Sequence, residues 1–335
     1  VLIDVERRGE PTARLLVTTV EEPVEELALA GSDPAGGGEA VDAVITWVDD
    51  TDPSWQAALA AAGGDPVADE SRWRDRGEGG VCLDSVLSRM PWIRRVHVVT
   101  AGQVPGWLGE DPRVHLVDHR EVFPDASVLP TFNSHAIEAC LHLIPGLAER
   151  FVYFNDDVIV LEPLGPLDFH DAVGRPVVSL SLPIPENRGG ETPWWAAAGA
   201  AAALTDAELG FAPRRMLAHA PYPLTRSAML DAEAAHSEVF ARVRASRLRS
   251  TSDVAPVALS LLRALQRGRA VAGGPLTLDL QPASAADAAA GVELIARLAP
   301  PVVCVNDGGW PGDPVAPVLA EVRRILAAPP GMMTP

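Results

Sequence analysis

The sequence contains no lysine; all 27 of its basic residues are arginines. With its abundant alanine, this reads as the mark of a GC-rich genome rather than of a mechanism. Cysteine is also scarce. Cys82, Cys140 and Cys304 are odd in number, far apart and without a CxxC pair. That argues against a disulfide framework and against a cysteine-built zinc site, and it suits a reducing compartment. No apolar run reaches the roughly 18 residues that a membrane helix needs. The opening VLIDVERRGEPTAR lacks the basic, apolar and small-residue order of a signal peptide. Together these absences predict a soluble, cytoplasmic protein. Positive charge is in short supply: 45 acidic residues give a net charge of −18. Bulk attraction to nucleic acid or to an anionic membrane is therefore disfavoured. An anionic ligand would need a local arginine cluster or a metal.

What is present suffices for a sizeable core: 335 residues, 47% of them hydrophobic, in one large or two modest domains. From Val41 to Leu161, apolar β-rich runs (VDAVITWV, RRVHVVTAG, RVHLVD, RFVYFNDDVIV) alternate with stretches of helical spacing. The latter are VCLDSVLSRMPW and NSHAIEACLHLI, the second with Ser134 as its expected cap. This alternation predicts an α/β fold, a mostly parallel sheet flanked by helices. In such sheets the ligand crevice lies at the carboxyl ends of the strands. The polar groups after VITWV, VHVVT and FVYF then share one rim. VLIDVE and ARLLVTTV read as short strands, and GSDPAGGGEA (Gly31 to Ala40) as a linker. Residues 183–213 read as a loop and one helix, and 226–268 as helices interrupted near RLRSTSDVAP. APPVVCVNDGGW reads as a short strand ending in a polar turn. No internal repeat is visible.

Several constellations could carry chemistry. Asn155-Asp156-Asp157 interrupts a buried run, where two carboxylates are costly unless paired. Carboxylates at a strand end can hold Mg²⁺ against a diphosphate; the plain alternative is an acidic turn. Asp42, Asp49, Asp50 and Asp52 surround the first strand, and at least some must be turn residues. His135, Glu138 and His142 share one face if their helix is continuous, which suggests a weak metal face or supporting hydrogen bonds. His219 stands alone, as a structural histidine often does. Arg72, Arg74, Arg76, Arg247 and Arg249 are the candidates for phosphate in an acidic protein. Asn306-Asp307 reads first as a β-turn. Trp194 and Trp195 could stack on a sugar, with mutual packing the slightly favoured reading.

The ordered blocks VDAVITWVDDTDPSW, RWRDRGE…PWIRRVHVVTAGQVPGWL, LPTFNSHAIEACLHLIPGLAERFVYFNDDVIV, HAPYPLTRS…RLRSTSDV and CVNDG resemble the Stealth family. These are bacterial capsular polysaccharide phosphotransferases related to the animal N-acetylglucosamine phosphotransferase. The resemblance runs from about Val41 to Asp307 and implies a Rossmann-like or GT-A-like catalytic domain over 41–310. A helical subregion at about 190–270 interrupts it. An N-terminal extension and linker (1–40) and a C-terminal tail (311–335) flank it.

The implied reaction moves a sugar-1-phosphate from a nucleotide-diphosphate sugar to a hydroxyl of an acceptor glycan. A nucleoside monophosphate is released. Mg²⁺ is the implied cofactor, with Mn²⁺ as the alternative. A polysaccharide-synthesis complex at the inner face of the membrane is the implied setting, and nucleic acid is not a partner. By the resemblance, His219, Arg249, Asp42 and Asp157 are catalytic. His219 is the base, since histidines as a class titrate near neutrality. Glu138, Arg74, Asn155, Asn306 and Asp307 bind substrate, and Asp156 and Asp157 hold the metal. Gly80 and Asp84 stand where the family usually has arginines. Two rivals remain open: a metal-dependent glycosyltransferase releasing a nucleoside diphosphate, and a non-catalytic sugar-nucleotide binding protein.

Overall fold

The structure is a computed structural model that describes residues 2–4, 14–17, 40–65, 73–183, 192–210, 215–310 and 312–329. The first seven strands are β1 (Leu2–Asp4), β2 (Arg14–Val17), β3 (Val41–Thr46), β4 (Val96–Thr100), β5 (Val114–Asp118), β6 (Arg150–Asn155) and β7 (Val158–Val160). The remainder are β8 (Val177–Val178), β9 (Leu180–Pro183), β10 (Arg215–Leu217), β11 (Tyr222–Thr225), β12 (Val271–Ala272), β13 (Thr277–Leu280) and β14 (Val302–Val305).

The expected parallel sheet is present, in the order β5-β4-β3-β6, with β11 antiparallel along the outer edge of β6. Strand order reverses at β3, between β4 on one side and β6 on the other. Such a switch point opens a crevice beyond the carboxyl ends of the strands. Period-two alternation divides the side chains between two cores. Ala43, Ile45, Val98, Val152 and Phe154 pack toward the helix Glu78–Arg89 through Cys82, Leu83 and Val86. Val44, Val99, Phe151 and Tyr153 pack toward the helices Pro193–Leu209, Arg226–Ala235, Ser237–Ala245 and Pro256–Gln266. Residues 246–255 separate the third of these helices from the fourth, where the helical pattern was expected to break. The helix Pro256–Gln266 even buries Arg263, whose guanidinium meets Glu208 at 2.6 Å and Asp231 at 3.1 Å. A buried charge persists only with such partners.

A second five-stranded sheet, β1-β2-β13-β14-β7, was not foreseen. It is mixed: β13 and β14 are parallel, and the other pairs are antiparallel. Ile159, Leu278, Val303 and Val305 bury against the helices Ala285–Leu298 and Ala316–Ala327. The sequence hid this sheet because FVYFNDDVIV reads as one strand. In the structure the chain turns at Asp156-Asp157 and passes from β6 in one sheet to β7 in the other. A continuous strand would have sent one carboxylate to each face, at a high cost of burial.

The flanking segments take part in this second sheet. β2 pairs with β13, while residues 31–39 of the expected linker lie outside the described residues. The segment assigned to a C-terminal tail supplies the helix Ala316–Ala327, which buries Val318, Leu319 and Val322. Among the described residues, no helix is long and apolar enough to cross a membrane.

Candidate active site

The rim of the parallel sheet gathers some of the expected residues and leaves others out. Asn155 is the last residue of β6, and its Nδ2 lies 2.6 Å from Nε2 of His219. His219 stands between β10 and β11, half-buried. Its Nε2 is 3.6 Å from Oδ1 of Asp157, and its Nδ1 is 3.5 Å from Sγ of Cys304 on β14. The Cys304 thiol reaches Oδ2 of Asp157 at 3.4 Å. The metal-capable atoms of Asp157, His219 and Cys304 all lie within 4.8 Å of one another. Oδ1 of Asp157 is buried and accepts no hydrogen bond.

Asp156 faces different company. Burial pushes its pKa well above the ordinary carboxylate value, and the carboxylates of Asp157, Asp75 and Glu78 push it further. Asp75 is fixed by four donors: the indole N–H of Trp47 at 2.6 Å, that of Trp107 at 3.3 Å, and the backbone N–H groups of Gly77 at 2.7 Å and Gly79 at 3.4 Å. Glu78, buried at the start of its helix, has its pKa pushed up to about 7, chiefly by burial. The next two residues are glycines for a steric reason. A Cβ on Gly79 would lie 2.6 Å from Trp47 Cδ1, and one on Gly80 would lie 3.1 Å from Trp107 Cγ. The Trp107 indole packs directly over Gly80. Asp84 is exposed.

Two arginines converge on the turn after β14. Asp307 accepts from Arg76 Nε at 3.2 Å and Nη2 at 3.0 Å, and lies 3.6 Å from Nη1 of Arg74. It also accepts from the backbone N–H of Gly309 at 2.9 Å, so the turn reading of this residue holds as well. Asn306 follows β14 directly, its N–H bonded to the Leu280 carbonyl. Arg72 lies outside the described residues. Beside Asn155 a pocket of about 510 Å³, open mouth included, is lined by Glu138, His135, Trp194 and Tyr222. Burial raises the pKa of Glu138 against the pull of His135, Arg249 and His219. Arg249 donates to the Ser134 hydroxyl. Trp194 and Trp195 meet edge to face at 4.7 Å, so they do pack together, but Trp194 also lines the pocket.

Other expectations need correction. Asp42 is not at the rim. It is the second residue of β3, at the opposite end of the sheet, and is fully buried. Burial alone would raise its pKa, but Arg94, His97 and the Ala148 N–H hold it well below the usual range. Arg94 donates to it at 2.8 and 2.6 Å, and the Ala148 N–H at 2.8 Å. Asp42 thus anchors the sheet's far end.

The helical face of His135, Glu138 and His142 does not form. Asn133, not Ser134, caps a helix that covers only Ser134–Glu138 before a 3₁₀ turn at Leu141–Leu143. His142 pairs with Glu233 at 2.7 Å, and His135 lies 3.7 Å from Asp253. Arg247 is spent on the carbonyls of Ser127, Val128 and Leu129. Asp52 caps the helix Pro53–Ala61 and Asp49 closes a turn on Thr51. Burial raises the pKa of Asp50 against backbone hydrogen bonds and the pull of Arg74.

The residues that the sequence reading missed are Cys304, Asp75, Glu78, Trp47 and Trp107. Trp47, Asp75, Glu78 and Cys304 fall within WVDD, RDRGE and CVNDG, and Trp107 within VPGWL. Only their convergence was invisible.

Comparison with known proteins adds a family. Conserved region 1 of Stealth proteins matches residues 39–65, and conserved region 2 matches residues 72–178. The exopolysaccharide phosphotransferase SCO6021 of Streptomyces coelicolor is 41% identical over 242 residues, which is 70% of this chain and 45% of that protein. An exopolysaccharide phosphotransferase of Nocardia farcinica is 35% identical over 305 residues, 88% of this chain and 60% of that one. The chain thus spans under half the length of the first of these relatives and three fifths of the second. Among solved structures, the galactosyltransferase LgtC aligns over 86% of this chain and 97% of its own. Its TM-score of 0.42 and identity of 12% make it too distant to rest anything on.

Proposed function

Because the chain belongs to the Stealth family by its conserved regions 1 and 2, we propose that it is a sugar-phosphate transferase. It takes a sugar-1-phosphate from a nucleotide-diphosphate sugar and joins it to a hydroxyl of an acceptor glycan in capsule or exopolysaccharide synthesis. The names of its relatives support the reaction class. Within this chain, one observation carries the reading: His219 meets Asn155 and Asp157 beyond the carboxyl end of β6.

Phosphoryl transfer asks mainly for positioning and charge stabilisation. The acceptor hydroxyl oxygen attacks the sugar-bearing phosphorus and gives its proton to Nε2 of His219. The bond from that phosphorus to the bridging oxygen breaks, and the nucleoside monophosphate leaves. Asn155 Nδ2 donates to Nε2 in the resting enzyme, so the amide must turn its oxygen toward the ring for Nε2 to take the proton and be steadied as imidazolium. Oδ1 of Asp157, without a hydrogen bond of its own, is 3.6 Å from Nε2 and stabilises the imidazolium. Arg249 offsets charge on the transferred group. Glu138 orients the sugar in the pocket that Trp194 lines. Arg74, held by Asp307 beside Asn306, faces the donor phosphates.

Asp156 suits a hard divalent cation. Burial and the negative charges of Asp157, Asp75 and Glu78 disfavour its ionised form, and a cation bound to it would offset them. Mg²⁺ is our assignment, with Mn²⁺ the alternative. Bound there, it would neutralise the donor diphosphate. Asp157 sits beside a thiol and an imidazole, which leaves Asp156 as the principal carboxylate for it.

We take the catalytic domain as 41–310, with its helical subregion at about 190–270 and the helix of the 311–335 segment docked on it. Its order β5-β4-β3-β6 fits a Rossmann-like or GT-A-like binding half. The setting we propose is the cytoplasmic side of the membrane, in peripheral contact with a polysaccharide-synthesis complex. Product analysis tests the reaction. Nucleoside monophosphate release supports it, and diphosphate release identifies a glycosyltransferase. Donor binding without turnover on any acceptor identifies a binding protein.

A further inference from the structure

We propose that Asp157, His219 and Cys304 form a site for a borderline transition-metal ion of the zinc class, separate from the hard-cation side of Asp156, and that filling it silences His219. The binding claim stands alone; the silencing rests on the transferase reading above.

Geometry is the first support. A tetrahedral zinc ion with bonds near 2.3 Å to sulfur and 2.0–2.2 Å to nitrogen and oxygen spaces those ligand atoms at about 3.5 Å. Here Cys304 Sγ lies 3.5 Å from His219 Nδ1 and 3.4 Å from Asp157 Oδ2. The three side chains come from three elements: the turn after β6, the segment before β11, and β14. Their spacing therefore does not follow from one local structure. Chemistry is the second support. Thiolate and imidazole select zinc-like ions, whereas Mg²⁺ takes oxygen ligands in an octahedron. Third, the surroundings supply further oxygen. Oδ1 of Asp157 is buried without a hydrogen-bond partner. Asp279 stands opposite Cys304 in the β13–β14 pair. Asp279 or a water takes the fourth position.

Binding replaces the Cys304 thiol proton, which leaves to solvent, with the metal. Nδ1 of His219 becomes a ligand and Asp157 is drawn toward the ion. The imidazole can then no longer accept a proton from the acceptor hydroxyl and be stabilised by Asp157.

The test uses the full, reduced chain titrated with Co²⁺ as a spectroscopic stand-in, then with Zn²⁺. We expect tetrahedral d–d absorption with a thiolate-to-cobalt charge-transfer band, both displaced by Zn²⁺. In Cys304→Ser the charge-transfer band should vanish. Zinc affinity should fall by more than the roughly 10- to 100-fold that losing a supporting partner costs. Absence of the band in the wild type, or its persistence in Cys304→Ser, overturns the site. If Cys304→Ser does not fold, His219→Ala serves. It should lose the tetrahedral intensity, and an unchanged spectrum overturns the proposal equally. None of these readouts needs turnover, so a failed transferase assay leaves the metal test intact. In the active enzyme, Zn²⁺ should inhibit in the presence of excess Mg²⁺; full activity with the site filled overturns the silencing.

Discussion

The Asn155 amide lies 2.6 Å from Nε2 of His219, a contact that joins residues 64 positions apart across the carboxyl end of the parallel sheet. It ties the acidic turn to the histidine and gives each a partner. If His219 is the base, His219→Ala should lower kcat by about 10²- to 10⁴-fold. Its melting temperature should stay near that of the wild type, since the side chain reaches the surface of the crevice. Turnover within a few-fold of wild type removes His219 from the chemistry.

The two adjacent carboxylates should separate by phenotype. Asp156→Asn should raise the Mg²⁺ concentration needed for half-maximal activity. Asp157→Asn should lower kcat at saturating Mg²⁺, because the imidazolium loses its counter-charge. Identical Mg²⁺ titrations for the two variants contradict the division of labour.

Asp42 should behave as a structural residue. Asp42→Asn leaves the buried His97 and the partly exposed Arg94 facing a neutral group. Weakening hydrogen bonds to a buried charged group costs about 1–3 kcal/mol, less where the partner reaches water. Denaturant unfolding should reveal a loss of that order, while the folded fraction keeps its kcat. A stable but inactive variant would return Asp42 to the mechanism.

Glu78 sets a pH dependence of stability. Its folded pKa of about 7 stands above the usual 4.5, so the folded chain holds a proton that the unfolded chain releases. The favourable contribution is fully present below about 4.5 and is lost as pH rises toward 7. The change is about 3 kcal/mol at most. Asp42 acts oppositely: its depressed pKa gives stability present above the usual value of 3.8 and lost as pH falls below it. Unfolding free energy measured without divalent cation from about pH 5 to about pH 8 should fall in the wild type and stay flatter in Glu78→Gln. Parallel curves would show that Glu78 titrates normally.

Local pattern made the parallel sheet legible, because β3, β4, β5 and β6 are short apolar runs separated by stretches of helical spacing or turns. The second sheet was hidden because β7 and β14 are uniformly apolar, and nothing local marks Asp156-Asp157 as a crossing between sheets. Asn155, Asp157 and His219 could each be singled out in the sequence, but their meeting depends on long-range packing. Cys304 was dismissed on spacing, since its two partners lie in other elements. Asp42 misled because the resemblance, not its place, put it in the site: it opens the first apolar run, whereas the rim lies beyond that run's end.

The most direct test of the account follows one phosphorus atom. A nucleotide-diphosphate sugar radiolabelled at the sugar-bearing phosphate is incubated with the chain, Mg²⁺ and acceptor glycan. Transfer of sugar-1-phosphate predicts that the label appears in the glycan product, with unlabelled nucleoside monophosphate released. Label remaining in a released nucleoside diphosphate, with the sugar alone on the acceptor, would contradict it.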